Sequence, residues 1–115
     1  MVQAVRGAIC VEMDDSEHIK RAVKKLLSAI MDNNELIEDR LISVFFSQTN
    51  DITEANPASA LREMGFNDVP LFCTQEPEYK GSLGRVIRVM LTFNTEKKQA
   101  IIPVYLDGAE KLRTD

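Results

Sequence analysis

Five short apolar runs rich in β-branched residues punctuate this chain, and helical periodicity lies only between the first and second and between the second and third. The resulting order, β-α-β-α-β-β-β, confines the chain to a small sheet carrying two helices. Val2 to Glu12 reads as a first strand broken by Gly7. Asp14 and Glu17 then have the spacing of a capping box. Ile19, Ala22, Val23, Leu26, Leu27 and Ile30 recur at helical intervals until Asn33 and Asn34 end the pattern. Leu41 to Thr49 is apolar through its middle, which predicts a central strand. Asn56 and Pro57 start a short helix, Asn as N-cap and Pro at the first helical position, and Gly65 stops it. Val69 to Glu76, Val86 to Thr95 and Ile101 to Leu106 complete the strands, with the polar loop PEYKGSLGR before the fourth.

The chain has 115 residues, enough for one core, so residues 1–115 read as a single domain. It carries 14 Lys and Arg against 18 Asp and Glu. That acidic balance argues against a broad nucleic-acid footprint, though it leaves room for a local basic pocket. The apolar runs are far shorter than the ~20 residues of a membrane helix, and the N-terminus lacks a signal core, so no membrane is expected. Cys10 and Cys73 lie far apart with no CxxC between them, and read as reduced thiols of a cytoplasmic protein.

The run VIRVMLTF places a cation, Arg88, inside an apolar strand. An unpaired guanidinium in a core costs several kcal/mol, roughly, on the scale of buried charges. Arg88 therefore snorkels from a sheet edge, pairs with an internal acid, or awaits an anion from outside. Arg6 interrupts the first strand in the same way, and Arg62, Arg85 and Arg113 lie on or beside other elements. For any one of them a salt bridge is the ordinary explanation. Two in strand interiors of an acidic protein point to a small-anion site, because guanidinium forks match carboxylates. Glu76 ends the third strand and Tyr105 lies in PVYL; taken alone, each reads as an ordinary solvated acid and a packed aromatic. The single His18 sits in a charged helical turn, which disfavours a histidine triad or metal site. GSLG has neither the residues nor the setting of a phosphate loop.

VRGAICVE, SQTNDI, NPASALREMG, CTQE, IRVML and VYL occur in the order seen in the AroH-class (Bacillus-type) chorismate mutases, and the chain resembles that family from about Val5 to Arg113. The resemblance implies an α+β fold of α/β-like order, a small mixed sheet with two helices. It also implies a homotrimer with a barrel-like core and active sites between subunits. The activity implied is the rearrangement of chorismate to prephenate, toward phenylalanine and tyrosine, without cofactor or metal. On this chain Arg6 would bind a substrate carboxylate, and Arg88 the ether oxygen and enolpyruvyl carboxylate. Glu76 would accept from the ring hydroxyl with Cys73 close by, and Tyr105 would contact the side-chain carboxylate. Arg62 would reach in from a neighbouring subunit, and Leu112 and Arg113 would lie in a C-terminal segment near the site. Asn56, Ala58, Ser59, Leu71 and Phe72 would border the substrate.

The chemistry suits such a residue set. A pericyclic rearrangement needs no nucleophile or base, only selection of the folded conformer and a fixed cation where charge builds on the ether oxygen. The sequence departs from the family at Asn56, commonly aromatic, at Ser59, commonly basic, and at Ile9 and Cys10, commonly threonines. Two other readings fit the residues alone. One is a trimeric enamine/imine deaminase of the RidA type, the other a non-catalytic regulatory module for a small carboxylate.

Overall fold

The computed structural model describes residues 1–113. Its strands are β1 (Val2–Cys10), β2 (Leu41–Gln48), β3 (Leu71–Gln75), β4 (Val86–Asn94) and β5 (Val104–Leu106). Helices α1 (Ser16–Asn33) and α2 (Pro57–Glu63) intervene, and 3-10 turns cover Glu38–Arg40 and Ala109–Arg113. The strands form one mixed sheet in the order β3-β2-β4-β1-β5. β4 is antiparallel to both its neighbours, while β3 is parallel to β2 and β5 is parallel to β1. The α+β class and mixed sheet expected from the sequence are what the chain adopts.

One face of the sheet is built from alternate residues, because successive strand side chains point to opposite sides. Val5 and Ile9 of β1, Val44 and Phe46 of β2, and Ile87, Val89, Leu91 and Phe93 of β4 are all buried. They meet Ile19, Val23, Leu26, Leu27, Ile30 and Met31 of α1, together with Ala60 and Leu61 of α2, in one core. Each large side chain so buried stabilises the fold by roughly 1.5–3 kcal/mol before its ordering cost is counted. No described helix is long and apolar enough to cross a membrane.

Two local expectations change. Gly7 does not break β1, which pairs continuously with β4 from Val2 to Cys10. A Cβ at Gly7 would lie 2.7 Å from Ile30 Cδ1 and 2.8 Å from the Val104 carbonyl, so glycine is there to let α1 and β5 come close. The cap of α1 is Asp15, which accepts from the His18 amide at 2.7 Å. Asp14 instead ties a distant loop, accepting from the Thr53 amide and hydroxyl at 2.9 and 2.6 Å. β2 is an interior strand between β3 and β4, as expected, but it is not buried on both faces. Phe45, within its unbroken apolar run, is 43% exposed.

At α2 the sequence reading holds in detail. Asn56 caps it by accepting from the Ala58 amide at 2.8 Å, Pro57 follows, and Gly65 leaves the helix at φ +95°.

Candidate active site

Among the described residues neither α1 nor α2 covers the sheet's other face, and the 3-10 turn Ala109–Arg113 packs over only its Ala8 and Val86 end. The residues there are set by register. One row crosses all five strands: Thr74 of β3, Ser47 of β2, Arg88 of β4, Ala8 of β1 and Tyr105 of β5. The next row holds Phe72, Phe45, Met90 and Arg6. Arg88 thus stands on the middle strand between two small neighbours, Ser47 and Ala8, which leave its guanidinium room. Its side chain is 43% exposed, so the charge is never placed in the core.

Glu76 follows the end of β3 and continues the ladder, its amide donating to the Gln48 carbonyl at 2.8 Å. The Ser47 hydroxyl donates to Glu76 Oε1. Arg88 Nε lies 3.6 Å from the same oxygen, an ion pair longer than a hydrogen bond. Arg6, Arg88 and Tyr105 line both a small cavity of about 200 Å³, shared with Ser47, Thr74 and Phe45, and a groove of about 670 Å³. Tyr79, Lys111, Leu112 and Arg113 extend that groove. The Arg113 guanidinium sits 5.3 Å from the centre of the Tyr105 ring, and Leu112 packs beside the buried Ala8 and Val86.

Within one chain, a second group lies apart from this cleft. Cys73 and Leu71 alternate with Phe72 and Thr74, and so face the helix side of the sheet. The Cys73 thiol donates to Asn56 Oδ1 at 3.2 Å. Burial pushes that thiol above its ordinary pKa, against the opposing effects of the Ala58 amide and the Arg62 charge. Asn56, Ser59 and Arg62 are exposed on or before α2, while Ala58 is buried. The chain therefore unites Arg6, Glu76, Arg88, Tyr105, Leu112 and Arg113 around its open face, and holds Asn56, Ala58, Ser59, Arg62 and Cys73 at another edge. Arg85 belongs to neither, since its Nε donates to the Val11 carbonyl.

Sequence reasoning missed Ser47, Thr74, Tyr79 and Lys111. Ser47 and Thr74 enter through strand register alone, and nothing in FFSQ or CTQE announces it.

A largely open sheet face that brings together two arginines, a tethered glutamate and a tyrosine marks a small α+β protein with a cationic cleft. Residues 2–115 match the family model for chorismate mutase type I, and the chain belongs to that family. It is 42% identical over 117 aligned positions to chorismate mutase AroH of Thermus thermophilus, covering all of this chain and 96% of that one. It is 38% identical to chorismate mutase AroH of Bacillus subtilis (strain 168), again over all of this chain and 92% of the relative. A solved chorismate mutase from Clostridium thermocellum superposes with a TM-score of 0.91 at 40% identity, covering 95% of this chain and 98% of that one. The function of the chain is accordingly that of a chorismate mutase, an isomerase. These comparisons lend nothing to the deaminase or regulatory-module readings.

Proposed function

We propose that residues 1–115 act as a single catalytic domain, and that the open sheet face binds chorismate and releases prephenate. The observation carrying this is the convergence of Arg6, Arg88 and Tyr105 on one cleft with Glu76 3.6 Å from Arg88. In this reading Arg6 and Tyr105 hold the substrate's carboxylates and Glu76 accepts from its ring hydroxyl, which together select the folded conformer. Arg88 donates to the ether oxygen as the C–O bond opens and the C–C bond forms. Negative charge grows there, so the contact is stronger in the transition state than in the ground state. Leu112 and Arg113 close the groove from the C-terminal side.

The assembly in this reading is a homotrimer. Phe45 and Phe72, 43% and 61% exposed on the open face, give copies of the chain an apolar surface to share. A neighbouring copy then brings Asn56, Ala58, Ser59 and Arg62, with Leu71, Phe72 and Cys73 along the adjoining edge strand, to border the same cleft. Both cysteines are free, which suits a reducing compartment, and the reading places the enzyme in the cytoplasm. The test is the purified chain with chorismate, following loss of the diene absorbance and appearance of prephenate, with Arg88→Ala beside it. Turnover by the wild type and its collapse in the folded variant support the reading. A folded wild type that leaves chorismate unchanged overturns it.

A further inference from the structure

Two groups converge on the same oxygen of Glu76: the Ser47 hydroxyl, which donates to Oε1, and Arg88 Nε, 3.6 Å away. Among the described residues none donates a hydrogen bond to Oε2. Ser47 and Arg88 are direct cross-strand partners, so the serine stands beside the guanidinium on the same face. The Glu76 backbone is fixed to the same strand, through its amide and the Gln48 carbonyl. Main chain and side chain of Glu76 are thus both moored to β2, one strand short of Arg88.

From this arrangement we propose that Ser47 is a positioning residue, which keeps Glu76 and Arg88 from closing into a tight pair. A carboxylate and a guanidinium left to themselves in a partly desolvated cleft favour a two-point, hydrogen-bonded geometry. That geometry occupies both carboxylate oxygens and turns the guanidinium fork away from an incoming ligand. The serine hydroxyl takes one lone pair of Oε1 and holds the carboxylate back on β2. Oε2 then faces the cleft as an acceptor, and the fork of Arg88 stays available. Ser47 lines the same cavity, but its role in this proposal is to act through Glu76 and not to take part in the bond changes. The proposal rests on the chorismate mutase reading above, and it assigns a task to a residue which that reaction does not itself require.

The experiment compares wild type, Ser47→Ala, Ser47→Thr, Glu76→Gln and the Ser47→Ala/Glu76→Gln double variant as purified full-length chains with chorismate. Ser47→Ala is expected to lower kcat about 10- to 100-fold, a cost of one or two mislaid contacts to a charged group. KM should change far less, and the melting temperature little. Ser47→Thr keeps the hydroxyl on a β-branched side chain suited to a strand, and should recover most of the rate. In the Glu76→Gln background the serine substitution should cost less than about twofold, since no carboxylate remains to close into a tight ion pair with Arg88. An equal loss in both backgrounds makes Ser47 merely structural and overturns the proposal. So does an unimpaired Ser47→Ala, or a threonine variant as slow as the alanine one. A folded wild type without chorismate turnover overturns the functional reading itself, which keeps the two failures distinct.

Discussion

Arg88 Nε stands 3.6 Å from Glu76 Oε1, within ion-pair range but beyond hydrogen-bond length, with Ser47 bonded to that same oxygen from the strand between them. A pair held slightly open has unspent donor and acceptor capacity, and each partner can meet a ligand. Arg88→Lys keeps the charge but loses the planar fork. We expect it to lower kcat/KM by about 10²–10³, as for loss of one preorganised donor. Glu76→Gln keeps size and an acceptor but drops the charge, with a loss of about tenfold or more, because hydrogen bonds to charged groups contribute roughly 1.5–3 kcal/mol. Both are read from initial rates of chorismate loss, and wild-type rates in a folded Arg88→Lys protein would remove that residue from the site.

Phe45 and Phe72 meet edge to face with ring centres 6.0 Å apart, yet both stay exposed on a single chain. If copies of the chain cover them, Phe72→Asp places a charge in an apolar contact. Sedimentation velocity should then show smaller species, and turnover should fall with the loss of the assembly. A wild-type chain that sediments as a stable monomer would exclude the shared site.

Gly7 supplies a stability prediction. Its added Cβ would collide at 2.7 Å with a side-chain methyl of α1 and at 2.8 Å with a backbone carbonyl of β5. The methyl can swing aside, but the carbonyl belongs to a paired strand and cannot. Gly7→Ala should therefore destabilise by about 2 kcal/mol, the usual cost of overpacking, and lower the melting temperature by several degrees. An unchanged unfolding curve would mean that β5 moves freely.

Asp14 supplies a pH dependence. Hydrogen bonds from the Thr53 hydroxyl and amide, with a third from the Glu54 amide, hold its carboxyl below the ordinary aspartate value. A depressed folded pKa stabilises above the unfolded value and is lost as pH falls through the folded one. Asp14→Asn should thus melt lower than wild type at neutral pH, and the gap should narrow steadily once the pH drops below about 4, where a free aspartate takes up its proton. Melting curves from pH 7 downward check this, and a gap that does not vary with pH would contradict it.

The sequence by itself determined the elements, their order and the apolar stripe of α1. Ile19 to Ile30 could form only an amphipathic helix, and Asn56, Pro57 and Gly65 marked α2 to within a residue, because caps and periodicity are local properties of the chain. Arg6 and Arg88 were conspicuous for the same reason, each interrupting a strand whose neighbours are apolar. Only the tertiary structure decided what stands beside them. Ser47 and Thr74 fall in line with Arg88 because β2 and β3 pair in one register, and a slip of one residue would turn Ser47 to the core and Phe46 to the cleft. It also decided that Gly7 permits a close approach, that Asp14 holds a loop while Asp15 caps the helix, and that Cys73 faces Asn56. Such choices depend on residues tens of positions away, and a linear reading carries no record of which of them will meet.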